Sequence, residues 1–378
     1  MLLRKAFKFE IMPNGEQSRK IKQFCGCCRF VFNRALAWQN EQYQQDSNHK
    51  FSYNKIANLL PQWKKELPWL KECHSQVLQQ SLKDLESAFK NFFQQRSDFP
   101  KFKKKGLKEC FRFPQGCKLE QQNNRLYLPK IGWVRYHNSR DVVGEIKNVT
   151  ESHRCGRFFV SIQTEFEYEI PTHKGGEIGI DMGVARFATL SNGEYFEPLN
   201  AFKIYKGKLA KLQRQLKNKV KFSQNWQKIK AKIAKLHHKI SNCRKDFLHQ
   251  TSSKISKNHA MIYVEDLQVS NMSRSAKGTV EEHGKNVKQK SGLNRSILDQ
   301  SWFEFRRQLD YKTIWNGGFL VAVPPQNTSR CCPNCGHTAK ENRQTQADFE
   351  CVECGYTENA DVVGALNVLG RGRAIVHA

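Results

Sequence analysis

The sequence predicts a multi-domain protein in which an antiparallel β domain, interrupted by helices, precedes an α/β domain. Three observations lead to this prediction: short strand-like runs between polar turns over residues 98–172, long helical periodicity before them, and apolar strand-like runs that alternate with helical stripes after residue 175. The 378 residues exceed the roughly 100 to 200 of a typical domain, so we expect two or three domains.

The N-terminal part is expected to form one strand followed by helices. Residues 5–11 alternate between apolar and polar side chains, and the turn residues at 13–15 end that strand. Apolar residues then recur at helical spacing over 16–38 and again over about 74–95. We interpret both stripes as buried core rather than as ligand pockets.

Four further strands are predicted at a spacing of about ten residues, which is typical of a small antiparallel barrel or sandwich. They are residues 125–128, 132–136, 144–149 and 157–162. The helical block of residues 15–97 is then an insertion between the first strand and the rest of the barrel.

The third region begins with apolar strands at 177–184 and 186–190, and the Asn192-Gly193 pair predicts a hairpin. A helical pair follows, in which residues 203–245 contain fifteen Lys or Arg and no Asp or Glu. Such helices are either solvated faces or phosphate-binding surfaces, and the absence of acids favours contact with nucleic acid. The candidate contacts in this pair are Lys211, Arg214, Lys228 and Lys232.

Residues 261–267 predict a further strand, whereas residues 270–292 are polar, lack periodicity and predict a mobile loop. Helical spacing resumes at Leu298, and residues 318–323 predict a strand that leads to a group of cysteines.

The charge of the chain favours a polyanionic partner. It has 63 Lys plus Arg against 35 Asp plus Glu, a net charge of +28, and nucleic acid is the partner such a field attracts. The simpler alternative is a basic surface that only keeps the protein in solution. No apolar run approaches the roughly 18 to 20 residues that cross a bilayer, and the start lacks a signal-peptide core, so we expect a cytoplasmic, nucleoid-associated protein of prokaryotic type without a membrane partner.

Four of the thirteen cysteines have the spacing of a zinc ribbon, with two C-x2-C pairs fifteen residues apart. They are Cys332, Cys335, Cys351 and Cys354. Four thiolates fill a tetrahedral shell, so this Zn²⁺ is expected to be structural rather than catalytic. Cys331 should point elsewhere, His337 is an alternative ligand that four cysteines make unnecessary, and the remaining cysteines are interpreted as reduced thiols.

Three acids are candidate ligands for a second kind of metal. Asp181 and Glu265 stand at the ends of apolar strands, and Asp361 lies in the first turn of a predicted helix. Taken singly, such acids are more often turn residues or partners of a helix dipole. In order, however, they are a strand Asp, a strand Glu and a helix Asp, with a basic helical pair between the first two and a ribbon before the third. Their hard oxygen ligands suit Mg²⁺ or Mn²⁺, and two ions about 4 Å apart could activate water for hydrolysis of a phosphodiester.

The motifs around these residues resemble the TnpB family of transposon-encoded proteins, relatives of type V CRISPR effectors. The resemblance covers nearly the whole chain. It rests on Gly-Ile-Asp181-Met-Gly-Val, Val-Glu265-Asp-Leu, Thr328-Ser-Arg-Cys-Cys332-Pro-Asn-Cys335-Gly-His, Cys351-Val-Glu-Cys354-Gly-Tyr, Asn-Ala-Asp361, Phe24-Cys-Gly-Cys-Cys28-Arg-Phe-Val-Phe-Asn33, the run of residues 99–106, and Leu293-Asn-Arg-Ser-Ile-Leu298 through Tyr311-Lys312.

The resemblance implies an RNase H-like RuvC nuclease whose metal ligands are Asp181, Glu265 and Asp361. It also implies a guide RNA from the transposon end and cleavage of double-stranded DNA beside a short motif. The implied domains are a first wedge-barrel strand at 1–14, a helical recognition lobe at 15–97, the wedge barrel at 98–172, the RuvC-like core at 173–326 with its basic helical pair at 203–250, the zinc ribbon at 327–357 and a last RuvC-like helix at 358–378. Val363 departs from the asparagine that is common in the family, which puts one polar contact in doubt.

A basic run at residues 99–106 is a further candidate surface for nucleic acid. Its lysines are suited to phosphates, whereas Phe99 and Phe102 could stack on bases or pack inward. The candidate contacts are Lys101, Lys103, Lys104 and Lys105.

Two other functions are compatible with the same scaffold. One is an RNA-guided DNA-binding regulator that does not cut, which loss of any metal acid would favour, although all three are present. The other is a transposase or transposase accessory protein that joins strands, which a strand-transfer assay would distinguish.

Overall fold

The computed structural model describes residues 1–107, 109–279 and 281–377 and separates into two compact units, Met1–Glu169 and Ile170–Ala378. The strands of the first unit are β1 (Leu2–Met12), β2 (Glu109–Phe113), β3 (Lys118–Glu120), β4 (Arg125–Leu128), β5 (Gly132–Tyr136), β6 (Glu145–Arg154) and β7 (Arg157–Glu167). Its helices are α1 (Gly15–Gln45), α2 (Tyr53–Ala57), α3 (Leu60–Glu66) and α4 (Ser75–Phe93), with a 3₁₀ turn at Pro68–Glu72.

The seven strands form one antiparallel sheet in the order β2-β6-β7-β1-β5-β4-β3. Among the described residues β2 and β3 are the edges of this order, so closure into the predicted barrel stays a prediction. The alternation that predicted β1 is confirmed, because Phe7, Phe9 and Ile11 are buried while the residues between them face outward. The short strands β2 and β3 were not predicted.

The helices α1 to α4 lie between β1 and β2 in the sequence. Asn14 begins α1 as its cap, since its Oδ1 accepts a hydrogen bond from the Gln17 backbone at 2.8 Å while the Gln17 side chain accepts one from Asn14. The apolar stripes of α1 and α4 share one core with the sheet, as the periodicity predicts.

Glu151 is a buried acid in this core. It lies on β6 with no exposed surface, and burial, with the nearby Glu109 charge, raises its pKa to about 9. Among the described residues the Cys25 thiol, 3.9 Å away, donates to it, and one carboxyl oxygen has no partner. The folded protein therefore holds this side chain protonated at neutral pH.

We predict that Glu151→Gln makes the protein more stable in alkaline solution. Because the pKa of Glu151 is raised in the folded protein, protonated Glu151 stabilises the fold fully below its ordinary pKa of 4.5. This stabilisation is lost as the pH rises through about 9. Melting curves should show wild type weakening between pH 5 and 9 relative to the variant, by about 1 to 3 kcal/mol. Glu145→Gln, an exposed position of the same strand, is the control; parallel curves for Glu151→Gln and wild type would contradict the prediction.

The second unit contains a five-stranded sheet, a small hairpin and six helices among its described residues. The strands are β8 (Gly176–Asp181), β9 (Ala188–Leu190), β10 (Tyr195–Phe196), β11 (His259–Glu265), β12 (Phe319–Val323), β13 (Asp348–Glu350) and β14 (Thr357–Asn359). The helices are α5 (Ala201–Lys217), α6 (Gln224–Asn258), α7 (Val269–Met272), α8 (Val287–Gln300), α9 (Trp302–Trp315) and α10 (Ala360–Val376). The sheet order is β10-β9-β8-β11-β12, with β8, β11 and β12 parallel.

The prediction of a mobile loop over residues 270–292 is wrong at both ends. The segment includes the end of α7 and the start of α8, and a bridge joins Gly278 to His283; Val280 lies outside the described residues. Lys290 donates to the Met272 carbonyl at 2.8 Å, so side-chain hydrogen bonds anchor α8. Because α8 has few buried apolar residues, its first turns show no periodic apolar pattern in the sequence.

None of the helices in the described part of the chain is both long enough and apolar enough to span a bilayer.

Candidate functional site

Two candidate acids lie side by side at one edge of the second unit's sheet. Asp181 is the last residue of β8 and Glu265 is the last residue of β11. The two strands are parallel neighbours in which Ile180 is paired with Val264. Because parallel strands end at the same edge, the carboxyl groups of Asp181 and Glu265 lie there together.

The helix α10 brings the third acid to the same edge. The Asn359 side chain caps this helix by accepting from the Asp361 backbone at 3.1 Å, which sets Asp361 in the first turn. Gly364, one turn further on, lies against Asp181: a Cβ there would be 3.2 Å from the Asp181 Cγ. At Gly179 of β8 a Cβ would overlap the Ala365 carbonyl. Glycines thus permit the close approach of helix and sheet.

The electrostatics of Asp181 indicate that the three carboxylates interact. Burial raises the pKa of Asp181 to about 8, and the negative charges of Glu265 and Asp361 add to the rise, whereas Arg343 opposes it. Burial also raises the pKa of Glu265, which is 7% exposed. Asp181 and Glu265 therefore resist ionisation together, and a bound divalent cation would offset that cost.

Two residues that the sequence analysis did not identify are in contact with these acids. Arg343 of the cysteine-rich segment places its Nη2 3.5 Å from Asp361 Oδ1 while it also donates to the Gln346 carbonyl at 2.8 Å. Thr328 donates to Glu265 Oε1 at 2.5 Å. No spacing rule marks Arg343, and although Thr328 belongs to a quoted motif, its contact with Glu265 spans 63 residues.

The four predicted cysteines converge on one point. Their Sγ atoms all lie within 4.8 Å of one another, with Cys332 to Cys354 and Cys335 to Cys351 at 3.6 Å. This matches the edge of roughly 3.8 Å in a tetrahedron with Zn–S bonds of about 2.3 Å. Among the described residues no other set of three or more ligating side chains is gathered so tightly, and the three carboxylates are more widely spaced.

The two halves of the cysteine cluster are built alike. The Gly336 backbone donates to the Cys332 carbonyl and the Gly355 backbone to the Cys351 carbonyl, both at 2.9 Å. Both glycines have positive φ, 77° and 69°, so these turns require residues that tolerate the left-handed region. Cys331 is outside the cluster, as predicted, with its thiol 3.6 Å from the Gly336 carbonyl.

The cysteine cluster is packed against the start of α10. Cys332, Phe349 and Cys351 share an apolar cluster with Ala360 and Val363. Val363, where the family often has a polar residue, is therefore a fully buried contact between the ribbon and the helix.

The predicted nucleic-acid residues differ in their surroundings. Lys211 and Arg214 on α5, and Lys228 and Lys232 on α6, are exposed, while apolar residues such as Leu209 pack between the helices. Lys104 and Lys105 are also exposed.

Two lysines of the 99–106 run have internal partners. Lys101 pairs with Asp98 at 2.9 Å. Lys103 lies over the Phe32 ring at 3.9 Å, and its backbone donates to Asn33 at 2.7 Å, so it has a structural role as well.

Gly364 offers a test of the geometry at the acids. We expect Gly364→Ala to lower the nuclease activity predicted from the sequence at least about tenfold, because the new methyl group pushes on Asp181 and small displacements at a reacting centre are costly. The matched control is Gly370→Ala on the same helix, where a Cβ meets nothing within 4 Å. Equal cleavage rates for the two variants would contradict this reading.

Comparison with known proteins identifies relatives over almost the whole chain. The family model OrfB_IS605, described as "Probable transposase", matches residues 160–276. The "Cas12f1-like, TNB domain" matches 302–368, which includes the cysteine cluster. A helix-turn-helix model of the OrfB_IS605 family matches 1–48, which form β1 and α1 here.

Two curated relatives are similar over nearly their full length. "Putative RNA-guided DNA endonuclease InsQ" of Escherichia coli K12 is 57% identical over 98% of this chain and 93% of the relative. A "Putative RNA-guided DNA endonuclease" of Streptomyces pristinaespiralis is 32% identical over 98% and 90%. Among solved structures, the Cas12f1-sgRNA-target DNA complex covers 97% of this chain and 98% of its own with a TM-score of 0.57 and 13% identity, a likeness of fold.

Proposed function

This chain belongs to the TnpB family, and we propose that it is an RNA-guided DNA endonuclease with a RuvC-like site. The observation that carries the proposal is the meeting of Asp181, Glu265 and Asp361 at one edge of the sheet. The parallel strands flanked by an antiparallel pair, with α10 against them, support an RNase H-like core.

The three carboxylates offer only hard oxygen donors, which suit Mg²⁺ or Mn²⁺. Bound there, such ions supply charge stabilisation for in-line hydrolysis of a phosphodiester. Thr328 orients Glu265, and Arg343 restrains Asp361. Asn367 supports Thr328 in turn, since its amide donates to the Thr328 and Cys331 carbonyls, both at 2.7 Å. The four cysteines would hold one structural Zn²⁺.

The partners we propose are a guide RNA from the transposon end and double-stranded target DNA. The relatives named above are called RNA-guided, and the solved Cas12f1 structure is a complex with guide RNA and target DNA. The +28 net charge supplies the field that such a ribonucleoprotein requires. The exposed basic faces of α5 and α6 are the surfaces we assign to nucleic acid.

We expect the protein purified with its RNA to cut duplex DNA that matches the guide when Mg²⁺ is present. The RNA should be sequenced first, so that matched and scrambled targets can be made. Cutting that ignores the match would refute guidance. Guided binding without cutting would indicate the regulator, and joined strands would indicate a transposase.

A further inference from the structure

The first unit contains an aromatic cavity that no part of the proposed nuclease site uses. It opens between the C-terminal halves of α1 and α4, has a volume of about 1190 Å³ and includes the segment 47–51 in its wall. That volume exceeds the range of roughly 300 to 1,000 Å³ that is usual for small-molecule pockets, which favours part of a polymer as occupant.

Phenylalanines form much of the wall. Phe99 lies edge-on to Phe89 and Phe92 at 5.6 and 5.3 Å, and Phe51 stacks on Phe89 at 4.8 Å. Phe93 is 71% exposed. The buried rings hold the exposed ones in place, so the cavity presents flat aromatic faces to whatever enters.

Two polar atoms in the cavity wall have no partner. Gln39 is 5% exposed, yet its Oε1 accepts no hydrogen bond, and the buried Nε2 of His49 is also unpaired. A buried polar atom without a partner is destabilising, and a native structure usually supplies one from elsewhere. Because Gln39 Oε1 can only accept, a partner for it carries an N–H or O–H donor.

The charges around the cavity favour an anionic chain. The described residues that line it include two cations, Lys50 and Lys90, and one acid, Glu86; the exposed Lys104 and Lys105 follow Phe99 in the sequence. Aromatic faces, an internal acceptor and cations nearby are together what an unstacked base on a phosphate backbone requires.

We propose that this cavity binds an unpaired nucleobase of a single-stranded nucleic acid, with the base stacked beside Phe93 and Phe99 and an N–H of its edge donated to Gln39 Oε1. Lys50 and Lys90 then meet the adjoining phosphates. The proposal rests on the chain being a nucleic-acid-binding protein, but not on its cutting DNA. The strand is either RNA or a displaced DNA strand, which share this chemistry.

The test is a binding titration of the full chain, freed of co-purified RNA, in buffer without Mg²⁺ or Mn²⁺. Labelled 12-nucleotide single strands of RNA and DNA, and a duplex DNA of the same length, are titrated at several salt concentrations. Phe93→Ala should weaken single-strand binding about tenfold with an unchanged salt slope, because it removes a stacking partner and no phosphate contact. Gln39→Leu should act in the same direction, and duplex binding should stay constant.

Phe303→Ala is the matched control, since Phe303 is a 75% exposed phenylalanine of the other unit. Melting curves verify that each variant folds. A loss confined to RNA assigns the cavity to the RNA, a loss confined to DNA assigns it to a DNA strand, and a loss in both establishes a base site shared by the two. Unchanged affinity for both single strands, or an equal loss on duplex, would overturn the proposal. Because binding is measured without the divalent ions that cutting requires, a failure of guided cleavage leaves this result unaffected.

Discussion

Replacement of Asp181 by asparagine should abolish DNA cleavage while affinity for RNA and target DNA stays within about twofold. The substitution keeps the shape of the side chain but removes one of the charges that would hold the divalent ions. We expect a loss of at least about 10²-fold, the effect of removing one group that stabilises a transition state. Glu265→Gln should behave alike, because Glu265 ends the neighbouring strand. The measurements are single-turnover cleavage and filter binding with the same guide.

The control for this experiment is Asp310→Asn, an exposed carboxylate of α9 in the same unit, which should cut at the wild-type rate. If Asp181→Asn also cut at that rate, the assignment of the nuclease site would be wrong. Parallel losses of binding and cleavage would instead indicate that the residue supports the fold.

Asp181→Asn should also change how the stability of the protein depends on pH. In the folded protein the pKa of Asp181 is raised from 3.8 to about 8. The stabilisation of the fold by protonated Asp181 is therefore complete below pH 3.8 and is lost as the pH rises through about 8. Without divalent cations, wild type should therefore weaken over this interval relative to Asp181→Asn. Mg²⁺ should restore wild type at pH 8.5 and leave the variant unchanged.

Cys351→Ser should remove the zinc and destabilise the end of the chain. Cys351 is 1% exposed and is packed with Phe349 and Val363, so an empty ligand position also disturbs the first turn of α10. Structural zinc contributes on the order of 10 kcal/mol in small domains, and one missing thiolate forfeits much of it. Elemental analysis should find less than one zinc per chain, and the melting temperature and cleavage rate should both fall.

Cys331→Ser is the matched control, because this thiol adjoins the cluster without belonging to it. It should retain one zinc and the wild-type melting curve. A Cys351→Ser protein with full zinc content and unaltered melting would refute the ribbon, as would loss of zinc from Cys331→Ser alone.

Local pattern accounts for the parts of the structure that could be predicted. The cysteine cluster could be predicted because each C-x2-C pair closes within one turn. The strands that end at Asp181 and Glu265 could be predicted because each is a continuous apolar run. The contacts of Arg343 and the approach of Gly364 to Asp181 depend on residues far apart in the chain, and single-sequence periodicity carries no such information. The first turns of α8 escaped prediction for a related reason, since side-chain hydrogen bonds to distant carbonyls hold them.

The position of α10 has a consequence for how the protein is made. A ribosome delivers the strands that carry Asp181 and Glu265 well before the helix that carries Asp361, with the whole ribbon between them. Since chains fold progressively from the N-terminus during synthesis, the third carboxylate can join only after the ribbon residues have been synthesised. A nascent or prematurely terminated chain would then have the basic helices that attract nucleic acid without a complete set of ligands for cutting it.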